Sequence, residues 1–252
     1  MKKIALLITF LLLMGSKAFS QTEFRFGFQV SPNFSWISTD DKFINGNGSN
    51  LGLKLGMMGE KYFAGSENYA LTFGIGFAFN QGGTLNYDSD GKYNGGNYWS
   101  KSDLTEDRFK DLPEGINLKY GIQYIEIPFG LKMRTQEFGY FRYFIEPGFN
   151  LGVKTQARGA ISGVELYSAE NEDIKKDVNF LNLSWGLGAG VEYTIGENTA
   201  LIGGLYFQNG FLDMSDNAAQ RFIDEPGQER ITEKEDSRAS IKSLTIRLGV
   251  MF

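Results

Sequence analysis

Apolar side chains recur at every second position along most of this chain. Phe24, Phe26, Phe28 and Val30 alternate with polar or small residues, as do Leu51, Leu53, Leu55 and Met57. The pattern returns in 69–79, 123–133, 143–153, 181–195, 201–207 and 244–252. Period-two alternation predicts a β-strand with one apolar face, so the chain carries eight predicted strands. In "QYIEIPFGLKM" (123–133), Ile125, Ile127, Phe129 and Leu131 share one face while Glu126 and Lys132 share the other. Across the runs the second face is mostly Gly with isolated charges. Small residues suit the inside of a narrow closed barrel, whereas the outside of a soluble sandwich calls for bulk Lys, Glu and Thr.

The spacing between runs points the same way. Gaps 64–68, 135–139 and 196–199 are short, while 37–50, 81–115, 157–178 and 213–238 are longer. Long connections on one side and tight ones on the other mark an outer-membrane barrel. The expected fold is all-β: an eight-stranded antiparallel up-and-down transmembrane β-barrel with long extracellular loops and short periplasmic turns. Its apolar face then meets lipid, and the sheet must close so that no backbone group is left unpaired there. Tyr62, Phe63, Tyr69, Phe138, Tyr140, Phe141 and Tyr193 gather at the short-turn side and suit an interfacial aromatic girdle.

The inward parity puts Arg25, Lys54, Glu60, Glu126, Lys132, Arg134, Arg142, Glu146, Lys154, Glu192 and Arg247 in the lumen. An eight-stranded barrel is only wide enough inside for side chains, so these charges must pair or meet water. A salt-bridged plug is the expectation; a narrow ion path with a basic bias and a ligand cavity are the alternatives. Glu126 is expected to serve this network, with Lys132 and other bases as partners. Pro128 and Pro147 fall at nearly the same height on neighbouring strands if the turn centres near Glu137. Each lacks a ladder donor, which predicts a local bulge or pairing gap.

The first twenty residues differ in kind. "MKKIALLITFLLLMGSKAFS" runs from Lys2 and Lys3 through an apolar core to Ala18 and Ser20. This reads as a secretory signal peptide (1–20) cut before Gln21, leaving 21–252 as the barrel. The cut lowers the basic count from 25 to 22 against 30 acids, for a net charge of −8. That balance excludes a nucleic-acid partner. With no Cys, no disulfide stabilises the exported chain, and the sheet and the membrane must do so.

Candidate chemistry is sparse. The absence of His and Cys removes Ser-His, Asp-His and thiolate mechanisms, so no enzyme is expected and no catalytic residue is assigned. Asp40–Asp41 and Asp88/Asp90 read as solvated loop acids. "DSDGKYNGGN" (88–97) starts like a calcium loop but lacks the remaining ligands, so neither metal nor cofactor is expected. The 81–115 loop carries Tyr87, Tyr93, Tyr98, Trp99 and Phe109 among Gly, Asn and Ser, a composition suited to a binding surface. Packing on neighbouring loops is the other reading of these aromatics. The charged 213–238 segment reads as a solvated hairpin extension or short helix.

"YIEIPFGLKMR", "YFIEPGFNLGV", "WGLGAGVEYTIGENTALIGGLYFQNGFLDM" and "IRLGVMF" together resemble the PorT-type outer-membrane β-barrel family. The terminal Phe252 resembles the signal read by barrel-assembly machinery. The resemblance covers most of 21–252. It implies a Gram-negative outer-membrane protein, with outer-membrane lipid around it, barrel-assembly machinery during biogenesis, and an envelope protein as a further partner. The expected function is structural or loop-mediated binding with a plugged lumen. An accessory role in an outer-membrane protein-secretion machine and a small pore are the alternatives.

Overall fold

The computed structural model describes residues 24–63, 66–87, 93–223 and 229–252. The expected leader and its cut, and the Asp88/Asp90 pair, lie outside the described residues. Twelve strands follow in order: β1 (Phe24–Thr39), β2 (Ile44–Tyr62), β3 (Tyr69–Tyr87), β4 (Gly96–Asn97), β5 (Ile116–Arg134), β6 (Phe141–Val164), β7 (Tyr167–Asp173), β8 (Leu181–Thr194), β9 (Ala200–Gly210), β10 (Gln220–Ile223), β11 (Ile231–Lys234) and β12 (Ala239–Met251). Eight of them, β1-β2-β3-β5-β6-β8-β9-β12, pair antiparallel in a closed ring. The seam lies between β1 and β12, where Phe28 faces Val250. Beyond it Phe26 and Phe252 exchange backbone hydrogen bonds of 3.2 and 2.7 Å.

The eight sequence runs are the lipid-facing parts of these strands. Phe28 is 57% exposed, Leu51 63% and Phe149 61%, an inversion of soluble packing. On β5 the apolar outward positions run from Met133 to Ile125, close to the length a tilted strand needs to cross a bilayer. Phe63, Tyr69, Phe138, Tyr140, Phe141 and Tyr193 are exposed at the short-turn end, as a girdle requires. Tyr62 is a correction. It belongs to the inward parity of β2, and its hydroxyl accepts from Arg25 and Arg134.

Several strands run well past the lipid band. β6 has 24 residues, and the supposed 37–50 loop is mostly strand. A tight turn at 40–43 joins β1 to β2, fixed by Thr39 Oγ1 donating to the Ile44 carbonyl (2.6 Å) and the Phe43 amide donating to Asp41 Oδ1 (2.7 Å). β8 and β9, with 14 and 11 residues, stop lower. The wall is therefore tall on the β1–β6 side. β7 folds back on the top of β6, and β4, β10 and β11 form a separate three-stranded sheet.

Pairing is interrupted at the prolines, as expected, by gaps rather than bulges. The β3–β5 ladder breaks between Phe73↔Phe129 and Gly76↔Glu126, and the β5–β6 ladder between Gly130↔Gly148 and Met133↔Ile145. The register is the same on both sides of each gap. The opposite edges of both prolines stay paired, through Pro128↔Asn150 and Pro147↔Leu187. A proline removes one N–H, which points to one neighbour only. Pro32 does the same on the β12 side of β1.

Register shifts do occur elsewhere, between Ala78 and Gln81 of β3 and at Thr155 of β6. Each inserts an extra residue and reverses the inward parity above it. Beneath the shifts the inward face is polar. Above them it is apolar, with Leu85, Tyr87, Ile116, Leu118, Ile122 and Ile161 all buried.

Candidate functional site: an ion-paired lumen under an apolar cap

The lower lumen is built from long side chains that only a glycine-lined interior can hold. Gly188 is a clear case, since a Cβ there would sit 2.1 Å from the Tyr206 ring. At the turn end, Glu60 of β2 and Glu192 of β8 face each other across the barrel with Lys132 and Arg134 of β5 between them. Lys132 Nζ bridges Glu60 and Glu192 Oε1, the latter at 3.1 Å. Arg134 spans the same two acids, at 2.6 Å to Glu60 Oε2 and 3.1 Å to Glu192 Oε2. Arg25 reaches Glu192 at 3.3 Å from the mouth side.

A second layer lies above. Arg247 of β12 meets Glu146 of β6 at 3.1 Å and stacks its guanidinium 3.4 Å from the Tyr206 ring centre. The Tyr206 hydroxyl donates to Glu146 Oε2 (2.5 Å) and Thr72 Oγ1 donates to Oε1 (3.1 Å). In the third layer Lys54 pairs with Glu126 at 3.0 Å and donates to Gln208 Oε1 at 2.6 Å. Nine of the eleven charges expected in the lumen join these layers. Every acid meets at least one cation, which is what burial of charge demands.

Two of the eleven do not join. Arg142 sits at the mouth and turns to Glu137 (3.0 Å) and Glu67 (3.7 Å) of the short turns. Lys154 lies above the third layer, where its ammonium donates to the backbone carbonyls of Lys175 and Val178. It anchors the segment after β7 and has no carboxylate partner among the described residues. The partner of Glu126, left open among Lys132 and the other bases, is now fixed. It is Lys54, while Lys132 lies deeper, against Glu60 and Glu192. Two packing gaps remain beside the layers, about 10 Å³ next to Lys54 and Gln208 and about 30 Å³ next to Glu146 and Tyr206. Both are of water size, and the second reaches the wall at Phe129 and Phe149.

Above this lies the cap. Tyr87, Tyr93, Tyr98, Trp99 and Phe109 are all buried, Trp99 to 1% and Phe109 to 2% exposure. The structure therefore gives these aromatics no exposed surface. Tyr98, Trp99 and Phe109 join Tyr87 of β3 in the apolar interior of the upper barrel, while Tyr93 packs against Phe43, Arg221 and Glu233. Trp99 stands edge-on to Tyr120 of β5, and its ring lies where a Cβ on Gly159 would be, 2.6 Å away. The Tyr87 and Tyr120 hydroxyls share a 3.1 Å hydrogen bond. Buried acids hold the loop down. Asp177 accepts from the Lys101 amide (2.9 Å) and from the Ser102 hydroxyl, and Glu172 accepts from the Thr105 amide (2.9 Å). Arg221 of β10 ties Asp41 (2.7 Å) to Glu235 (3.3 Å). Burial holds the carboxyls of Asp177 and Glu235 above the usual range, against the pull of their hydrogen-bond donors. The 213–238 segment is the hairpin extension of β10 and β11. Among the described residues no cluster of three or more acids could hold a metal ion.

Residues 19–216 match a family described as an outer membrane protein beta-barrel domain. The chain belongs to this outer-membrane β-barrel family. No curated protein matches it in sequence. Solved structures similar to this barrel include Neisserial surface protein A (10% identity, 90% of this chain and 95% of that one, TM-score 0.40). OprG from Pseudomonas aeruginosa is similar at 10% identity, over 91% and 95% of the two chains, with TM-score 0.42. Ail, the attachment invasion locus protein of Yersinia pestis, is similar at 9% identity, over 92% and 100%, with TM-score 0.37.

The outer-membrane barrel also uses neutral polar residues that a search for charges passes over. Tyr62, Thr72, Tyr206 and Gln208 complete the three layers. Asn33, Gln81 and Thr245 form a chain above them, through bonds of 3.0 and 2.6 Å. For all but Gln81 the signal in the sequence was parity alone, since each sits on the inward face of its strand; Gln81 turns inward only because of the extra residue after Ala78.

Proposed function

We propose that this protein is a closed outer-membrane barrel, sealed to solutes, that serves as a membrane-anchored scaffold and carries out no catalysis. The observation behind this reading is the series arrangement of two different barriers. A solute entering from the turn side meets three layers of paired charge with gaps no larger than about 30 Å³ beside them. A solute entering from the loop side meets an apolar core. An ion that crossed the first would lose its hydration in the second, at a cost no paired group there offsets. The barrel's work then belongs to its outer wall, its cap or its rim. Purified protein in planar lipid bilayers is expected to show no steady single-channel conductance. A reproducible conductance step would sink the reading.

The likeness of "YIEIPFGLKMR" and "IRLGVMF" to PorT-type barrels supports a second reading, an accessory subunit of an outer-membrane secretion machine. A closed scaffold fits that role, since the transported protein would pass elsewhere. Deletion is then expected to deplete a defined set of secreted proteins. An unchanged secreted set would exclude it.

A further inference from the structure

The wall above the lipid band has an outer face with a charge balance unlike the rest of the protein. It is formed by the upper parts of β2, β3, β5 and β6, at residues 44–49, 80–87, 116–123 and 155–164. These stretches contain no Asp or Glu, in a chain with 30 acids and 25 bases; their only charges are Lys119 and Arg158. The strand register sets Asn45, Asn86, Asn117 and Ser162 side by side across four strands. The amides of Asn47 and Asn86 both donate to Asn117 Oδ1, at 2.8 and 3.0 Å, which fixes the row. In the row below, Lys119 stands between Thr84 and Ala160, and one rung further down Gly121 stands between Gly82 and Arg158. Small neighbours thus leave a shallow recess around two cations. Lys119 is exposed and makes no ion pair among the described residues, while Arg158 donates at 3.3 Å to the Asn171 carbonyl. Asp173 of β7, opposite Arg158 in register, marks the border of the face.

We infer that this face docks the phosphorylated saccharide headgroup of an outer-leaflet glycolipid. Three observations select that occupant. The face continues the lipid-contacting surface upward without a break: Phe77, Ile125 and Val153 form an apolar row, and Lys119 lies six residues above Ile125 along β5. That is about 20 Å of strand, within headgroup reach of the acyl region. Its side chains are amides and hydroxyls, which exchange hydrogen bonds with sugar hydroxyls, and two cations, which suit phosphate. Its freedom from acids removes the repulsion that the acidic remainder of the protein would set against an anionic headgroup. A protein partner would call for aromatic anchors, and no aromatic points outward in these four stretches.

The test uses the intact barrel in detergent micelles with three lipid probes. These are bisphosphorylated lipid A, its dephosphorylated form, and phosphatidylglycerol, with occupancy read by native mass spectrometry. Wild type is expected to prefer bisphosphorylated lipid A over both others. In K119S/R158S its affinity is expected to fall about tenfold, since each cation near an anionic lipid surface contributes on the order of a kcal/mol. Dephosphorylated lipid A is expected to bind wild type and variant alike. Unchanged affinity for bisphosphorylated lipid A in the variant overturns the inference. So does equal affinity of wild type for phosphatidylglycerol, which would reduce the face to an unspecific anion surface. Should the double variant fail to migrate as a folded barrel, K119S alone is expected to lose about threefold. Equal affinity in K119S is then the overturning result. Each outcome is independent of whether the lumen conducts.

Discussion

Lys132 is inaccessible to solvent at its ammonium end, yet it lies on a strand whose other face meets lipid. Only the two glutamates on opposite walls make that placement tolerable. Glu60→Gln would leave Lys132 and Arg134 with a neutral partner on one side. Breaking a buried pair in this way costs about 3–5 kcal/mol. The urea midpoint of the barrel in lipid vesicles is expected to drop accordingly. Arg142→Ala is the contrasting case. Its partners Glu137 and Glu67 are partly and largely exposed, so its effect should stay within about 1 kcal/mol. A large loss in R142A with none in E60Q would reverse the assignment of the network. The sequence already pointed all eleven charges inward, because strand parity is local information. Which acid meets which base depends on how far each strand is staggered around the ring. That is why parity left Lys132 and the other bases all open as partners of Glu126, and Lys54 is the one found.

At the scale of elements, the cap is the part that periodicity could not place. Its aromatics lie in a Gly- and Asn-rich stretch with no repeat, and the surface that receives them is formed by strands whose parity reverses at Thr155 and near Asn80. A reader following the even positions of β6 past residue 154 is carried onto the outer face. With Trp99 buried against Tyr120 and Gly159, Trp99→Ala is expected to destabilise the cap by about 3–5 kcal/mol. Increased hydrogen exchange along 94–112, with the ring strands still protected, would show it. The cap also carries a pH dependence. The carboxyl of Asp177 is held up by burial, so the folded cap binds more protons than the unfolded one just above the ordinary carboxylate range. Its contribution is present at low pH and is lost as pH rises through the raised value. The Lys101 amide, corrected for intrinsic exchange, is therefore expected to be better protected near pH 4 than near pH 7. Asp177→Asn should flatten that difference.

Over the whole molecule, alternation of small and large apolar residues and of short and long connections gave the ring, its strand number and the short-turn end. The height of the wall was hidden: above the lipid β2 is Gly, Asn and Ser with no contrast between its faces, while β5 goes on alternating but turns its apolar side chains, Ile116, Leu118, Tyr120 and Ile122, inward instead of toward lipid. The two barriers are also separable at this scale. Replacing 94–112 by a short linker removes the apolar barrier and leaves the three ion-paired layers. That variant is expected to migrate as a folded barrel and still pass no steady current in planar bilayers. A large conductance in it would place the whole seal in the cap.

The seam between β1 and β12 joins the first strand of the ring to the last, down to the hydrogen bonds between Phe26 and Phe252. Until β12 exists, the sheet has two raw edges, each a row of donors and acceptors that hydrocarbon cannot satisfy. A half-made copy therefore has no stable home in the bilayer. β12 must be made first, and entry into lipid and sealing of the ring become one event, timed by that strand.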